Sequence, residues 1–173
     1  ITLDFLEQNG ILDNSFVIVT SDHGELFERG EFGHGYRLLF DPVIHIPLLI
    51  SAPGQRQRRD VYSTTSNTDF LSTVLNLAGK PYDPTDGQLL PGFGGTEDSQ
   101  RSIYSMIIKN NAATAPFNIG TVSLTKGEYK LIHYFGYTKY SNKFEMYSLT
   151  NDPEEKNDLY PAHLPEAQRM KEE

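Results

Sequence analysis

Apolar residues in the first third of the chain form short groups separated by turn-forming residues. A helical grouping over residues 2–9 precedes Gly10, which predicts a helix with a glycine C-cap. Residues 16–20 are apolar or β-branched, a pattern typical of a strand buried on both faces in a parallel sheet of an α/β domain. Residues 44–51 form a third group with an internal proline, so this strand either lies at an edge or begins near Leu48.

The most regular helical pattern spans residues 69–78. Its apolar side chains recur at i, i+1, i+4, i+5 and i+8, which predicts one face packed on a core. They are Phe70, Leu71, Val74, Leu75 and Ala78. Gly79 and Pro81 follow in the order expected at a helix end.

The pattern changes after an irregular loop over residues 82–98 that is rich in Gly, Pro and Asp. Four short runs of β-branched and aromatic residues follow, and they predict a small antiparallel sheet. The runs are residues 102–108, 119–125, 128–135 and 143–149. Lys126-Gly127 predicts a tight hairpin between the second and third of these runs. Residues 165–173 are predicted to form an exposed terminal helix, with Pro165 in its first turn.

These elements predict an α/β chain with two parts. Residues 1–98 read as the C-terminal part of an α/β domain, beginning in the second half of a βαβ unit. Residues 99–173 read as a small four-stranded antiparallel subdomain that ends in the helix.

Composition and charge narrow the function classes. Of 173 residues, 38% are hydrophobic and 22% charged, which is typical of a globular protein with its own core. The net charge of -8 argues against nucleic acid as a partner, because phosphate backbones need a basic surface. The chain has no cysteine, so disulfides and thiolate zinc sites are excluded. The basic cluster at residues 55–59 is short enough to be a solvated loop.

Candidate chemistry lies directly after the first predicted strand, where Asp22 and His23 precede Gly24. Ligand sites of open α/β sheets form at the carboxyl ends of strands, and carboxylate and imidazole groups suit Zn, Mn and similar divalent cations. Gly24 is expected to allow a tight turn so that both side chains converge, and His34, flanked by glycines, to return to the same place. The alternative is structural, because Asp after a strand is often a helix N-cap and His-Gly pairs are common in loops.

The nearby acidic residues Glu25, Glu28 and Glu31 are predicted to form a solvated loop face. An alternative interpretation is that Glu25 accepts a hydrogen bond from His23 and thereby supports His23 as a metal ligand.

Several blocks, in order, resemble the sulfatase-type branch of the alkaline phosphatase superfamily. They are Thr20-Ser21-Asp22-His23-Gly24-Glu25, Gly33-His34-Gly35, residues 45–50, residues 68–79, Asp86-Gly87 and residues 144–159, which resemble the C-terminal signature of the family. The resemblance covers nearly the whole chain and implies an alkaline-phosphatase-like α/β fold.

The resemblance also implies a chemistry. Asp22 and His23 would be ligands of the catalytic divalent metal, with Mn, Zn or Ca all open, and His34 would contact the oxyanion of the ester, with Arg37 as a weaker candidate. The substrate would be a small-molecule sulfate ester. Because Asp-His also occurs in relatives that act on phosphate and phosphonate esters, hydrolysis of those esters or phosphoglycerol transfer is the alternative. A non-catalytic binding or assembly module is the alternative from another class.

The family carries its nucleophile and a first acidic pair upstream of the blocks found here. The chain, which starts at Ile1, is therefore expected to be the C-terminal portion of such an enzyme, with no turnover alone. An incomplete sheet exposes an edge, which makes self-association of the chain a risk. Relatives are often exported or membrane-tethered, and the residues here do not determine the location.

Overall fold

A computed structural model of the chain describes residues 2–35, 37–81, 87–109, 116–140, 142–162 and 164–173. The chain divides into two compact units, Ile1–Arg59 and Asp60–Glu173. The division predicted between residues 98 and 99 stays a prediction. No helix among the described residues is long and apolar enough to cross a membrane.

The described residues of the first unit form two helices and two strands. They are α1 (Thr2–Gln8), β1 (Val17–Thr20), α2 (Asp41–Ile44) and β2 (Leu48–Ser51), with a 3-10 turn at Leu12–Asn14. Gly10 follows α1 with φ of 66°, as a glycine C-cap requires. The predicted start of the second strand near Leu48 is confirmed.

The two strands of this unit pair antiparallel, with Val17 opposite Ser51 and Thr20 opposite Leu48. The predicted parallel pairing, with burial on both faces, is therefore wrong for β1, where Val19 is exposed. An apolar β-branched run favours extended backbone but does not encode the direction of its neighbour. A two-stranded ribbon also leaves apolar side chains in water unless another layer covers them.

A small core forms in the connection between β1 and β2. Its buried side chains are Leu26, Leu38, Leu39, Phe40 and Val43. Helix α2, which was not predicted, begins after Phe40 with Pro42 in its first turn. Proline at that position is a start signal that the sequence does carry.

In the part of the second unit that the structure describes, a helix is followed by a four-stranded sheet and a terminal helix. They are α3 (Asp69–Leu77), β3 (Ile103–Ile108), β4 (Gly120–Lys126), β5 (Tyr129–Phe135), β6 (Lys143–Ser148) and α4 (Pro165–Glu172). The sheet is antiparallel in the order β3-β4-β5-β6, as predicted. Lys126 pairs with Tyr129 across a two-residue turn in which Gly127 has φ of 57°, which confirms the hairpin.

The terminal helix packs on this sheet. Ala167 and Met170, three residues apart on one face of α4, are buried with Leu124, Leu131 and Met146 of the sheet. The prediction of an exposed helix is therefore wrong for this face. In the sequence, two apolar residues among charged neighbours, Ala167 and Met170, were too few to predict a buried helix face.

Helix α3 buries its polar face. Asp69, Ser72 and Thr73 are buried, whereas Leu71 and Val74 of the predicted core face are exposed. The reason is the segment after the helix, where the backbone N–H of Leu90 donates to Thr73 Oγ1 at 2.9 Å. The prediction placed the apolar stripe against a core, and it is wrong within the described residues. Asp86, in the predicted loop, lies outside them.

Candidate metal centre

The candidate residues sit directly after β1, and Gly24 is what holds them against α2. The N–H of Gly24 donates to the carbonyl oxygen of Val43 at 2.7 Å. A Cβ at this position would lie 2.1 Å from the carbonyl oxygen of Pro42. Gly24 is not among the glycines with positive φ, so the tight turn expected at this position is not the reason for the glycine. The reason is the close approach of its backbone to the backbone of α2.

We expect Gly24→Ala to displace the backbone that carries Asp22 and His23. Overpacking of this kind costs about 1–3 kcal/mol, and the added methyl would have to push the loop away from α2. Thermal unfolding and the divalent-metal affinity of the chain measure the two effects. Gly35→Ala is the matched control, because nothing lies within 4 Å of a Cβ there and its φ is not positive. Equal behaviour of the two variants would contradict this account.

Asp22 and His23 interact with each other and with the loop backbone. The backbone N–H of His23 donates to Asp22 Oδ1 at 3.0 Å, and this bond, with the nearby imidazoles, holds the pKa of the Asp22 carboxyl below its usual value. His23 Nδ1 lies 2.8 Å from the carbonyl oxygen of Gly24, which can only accept, so Nδ1 carries the proton. His23 Nε2 is then the nitrogen with a lone pair for a cation, 3.7 Å from Asp22 Oδ2.

His34 returns to His23, as the spacing of the glycines predicted. The two imidazole rings stack with centroids 3.7 Å apart and planes inclined by 24°. The return is made by a reversal at Arg29 and Gly30, both with positive φ, and by an isolated bridge between Leu26 and Gly33.

Glu25 pairs with His34 and not with His23. Its carboxylate oxygens lie 3.1 and 3.3 Å from His34 Nδ1. The predictions of a solvated face and of a partnership with His23 both missed this contact. The Arg29-Gly30 reversal was the available signal, because a hairpin centred there brings residues 25 and 34 opposite each other. Arg37, the weaker candidate for an oxyanion contact, forms an ion pair with Glu31.

The residues present fit a divalent cation. His23, Glu25 and His34 each offer one ligand atom, and these atoms lie within 4.8 Å of one another. Imidazole nitrogen and carboxylate oxygen are donors that Zn²⁺ and Mn²⁺ accept. Asp22 is not one of these three, although it adjoins His23.

Comparisons with known proteins agree on one family. Residues 2–80 match the sulfatase family model. Arylsulfatase K of Bos taurus is 30% identical over 169 residues, covering 93% of this chain and 30% of that protein. The N-acetylglucosamine-6-O-sulfatase of Bacteroides thetaiotaomicron is 30% identical over 171 residues, covering 91% of this chain and 28% of that protein. The chain thus spans less than a third of the length of these relatives.

Solved structures show the same fold. The structure of yidJ from Bacteroides fragilis matches with a TM-score of 0.75 at 21% identity, covering 96% of this chain and 36% of that one. BT4656, solved in complex with D-glucosamine-2-N,6-O-disulfate, matches with a TM-score of 0.68 at 24% identity, covering 98% and 35%. At these identities the likeness establishes the architecture, an alkaline-phosphatase-like α/β segment with an antiparallel sheet and a terminal helix.

Proposed function

Because the chain belongs to the sulfatase family, we propose that it supplies the metal-binding strand end of a sulfuric ester hydrolase. In this proposal Asp22 and His23 are ligands of the catalytic divalent ion, and His34 donates a hydrogen bond to the ester oxygens. The observation that carries the proposal is the convergence of His34 on His23 at the end of β1, with the rings 3.7 Å apart.

The chemistry follows from the positions of these groups. When bound, the ion neutralises charge on the transferring sulfuryl group. The Asp22 carboxyl, with its lowered pKa, stays ionised and thus available as an oxygen ligand at neutral pH. Glu25 accepts a hydrogen bond from His34 Nδ1–H and so orients the ring. In this role His34 is the doubly protonated imidazolium, whose Nε2–H donates to an ester oxygen.

We propose a sulfate ester on a sugar as the substrate class. The bacterial relative is named for removing a 6-O-sulfate from N-acetylglucosamine, and BT4656 was solved with a disulfated glucosamine. Hydrolysis of a phosphate ester is the alternative. Comparing an aryl sulfate with the matching aryl phosphate, in the enzyme that carries this chain, separates them: faster turnover of the phosphate would overturn the sulfate assignment.

The ligand assignment is tested by calorimetric titration of the metal-stripped chain with Mn²⁺ and Ca²⁺. We expect saturable one-site binding that becomes at least about tenfold weaker in Asp22→Ala and in His23→Ala, because each loses a direct ligand. Asp13→Ala, an acidic residue in the turn before β1, is the control and should bind as the wild type does. Binding that persists in both ligand variants would refute the assignment. A folded wild-type chain without binding would show that Asp22 and His23 do not form a metal site by themselves.

A further inference from the structure

We propose that His23, Glu25 and His34 form a three-ligand site for a zinc-like cation, in which Glu25 is a ligand and Asp22 is not. This goes beyond the proposed function, where Asp22 and His23 bind the catalytic ion and His34 acts as a donor. The two ligand sets share His23, so one ion at a time can use that imidazole.

The spacing of Glu25 and His34 matches two ligand positions of a tetrahedral site, and His23 lies nearby. With metal–ligand distances of about 2.0–2.1 Å, tetrahedral geometry places neighbouring ligand atoms about 3.3 Å apart. Glu25 and His34 already meet at 3.1 to 3.3 Å, and all three ligand atoms lie within 4.8 Å of one another. The stacked rings of His23 and His34 must turn so that the in-plane lone pair of each points at the same ion. Both imidazoles are exposed and Glu25 is half-buried, so these side chains are not held by a surrounding core. A cation would replace the proton now shared between Glu25 and His34 Nδ1.

The backbone holds these ligands in place before an ion arrives. Leu26 and Gly33 exchange two hydrogen bonds, N–H of Leu26 to O of Gly33 at 3.2 Å and the reverse at 2.9 Å. Glu25 and His34 are the residues immediately outside this bridged pair, so its register places them opposite each other. Leu26 is fully buried, which anchors the bridge.

The number of imidazoles distinguishes the two sets of ligands: Asp22 and His23 offer one, whereas His23, Glu25 and His34 offer two. Ca²⁺ and Mg²⁺ prefer oxygen ligands, whereas two imidazoles with one carboxylate suit Zn²⁺ and Co²⁺. A zinc ion bound here uses His34 as a ligand and removes it from its role as a donor. That consequence rests on the proposed function, whereas binding itself rests on the geometry alone.

The test is calorimetric titration of the metal-stripped chain with Zn²⁺, together with the visible spectrum of its Co²⁺ form. We expect Glu25→Gln and His34→Ala to weaken zinc binding at least about tenfold and to abolish the intense absorption of tetrahedral Co²⁺. Glu28→Gln, the same substitution in the same loop, and Asp22→Asn should each stay within about threefold of the wild type. Circular dichroism confirms that each variant is folded.

Two results would overturn the site: zinc affinity unchanged in folded Glu25→Gln, or zinc binding lost in Asp22→Asn. The outcome is distinguishable from failure of the proposed function. That proposal depends on Asp22 in titrations with Mn²⁺ and Ca²⁺, whereas the zinc site depends on Glu25.

Discussion

Lys130→Ala is expected to lower the free energy of unfolding by about 3–5 kcal/mol, because it leaves a buried carboxylate without its counter-charge. Lys130 Nζ lies 2.6 Å from Glu155 Oε1, and both side chains are 0% exposed. Lys130 belongs to β5, in the middle of the sheet, and Glu155 lies in the turn-rich segment after β6. Urea denaturation followed by far-UV circular dichroism measures the loss.

Two comparisons test whether the buried charge is the cause. Lys156→Ala removes an exposed partner of Glu154, where both side chains are 63% exposed, and should change stability by no more than about 1 kcal/mol. The double variant Lys130→Met with Glu155→Leu should be less destabilised than Lys130→Ala, because no unpaired charge remains. A loss below about 1 kcal/mol in Lys130→Ala would contradict the prediction.

The ion pair also gives a physical reason for the C-terminal signature. The backbone of Glu155 is in the left-handed region, with φ of 51°, a conformation that residues other than glycine rarely adopt. Its N–H donates to the carbonyl oxygen of Asp152 at 2.9 Å, and its side chain reaches back to the sheet. The Lys130–Glu155 ion pair therefore ties the segment to β5.

Asp69→Ala is expected to destabilise the second unit by a similar amount, about 3–5 kcal/mol. The carboxylate is fully buried and accepts hydrogen bonds from Arg101 Nη1 and Nη2 at 2.7 and 2.8 Å. It also accepts from the backbone N–H groups of Ser66 and Gln88 at 2.9 and 2.8 Å. Removing it leaves a half-buried guanidinium and two backbone donors unpaired.

Asp98→Ala is the control for this variant. Asp98 accepts a hydrogen bond from the N–H of Gln100 at 2.8 Å, but it is exposed, so its loss should change stability by less than about 1 kcal/mol. The midpoint of denaturation measures both variants. Similar midpoints for the two would show that the Asp69–Arg101 pair does not hold the segment together.

The same carboxylate makes the second unit sensitive to acid. Burial by itself raises the pKa of Asp69, but the hydrogen bonds from Arg101, Gln88 and Ser66 outweigh it, and the pKa lies below its ordinary value of 3.8. The stability it contributes is therefore fully present above the unfolded-state pKa and is lost as pH falls through the folded-state pKa. The stability difference between wild type and Asp69→Asn should shrink as pH falls from about 5 to about 2. A constant difference over that range would contradict this linkage.

Local features of the sequence determined most of the secondary structure. Gly10 ends α1, the β-branched runs became strands, and the turn at Gly127 specified a hairpin and with it the antiparallel sheet. Each of these depends on residues within a few positions of one another, where backbone preference and side-chain period act directly. The same kind of local reasoning predicted that Asp22, His23 and His34 take part in metal and acid–base chemistry.

Tertiary structure decided which groups meet. The antiparallel partner of β1 and the buried polar face of α3 both depend on segments that are distant in the sequence. The spacing of apolar residues within β1 or α3 does not predict which distant segment will pack there. The pairing of Glu25 with His34 needed the reversal between them, and that of Lys130 with Glu155 needed the turn after β6. Sequence alone determined local conformation and the chemical groups on offer, because backbone preferences act over a few residues. Only the fold decided partners, because contacts between distant residues depend on how the whole chain packs.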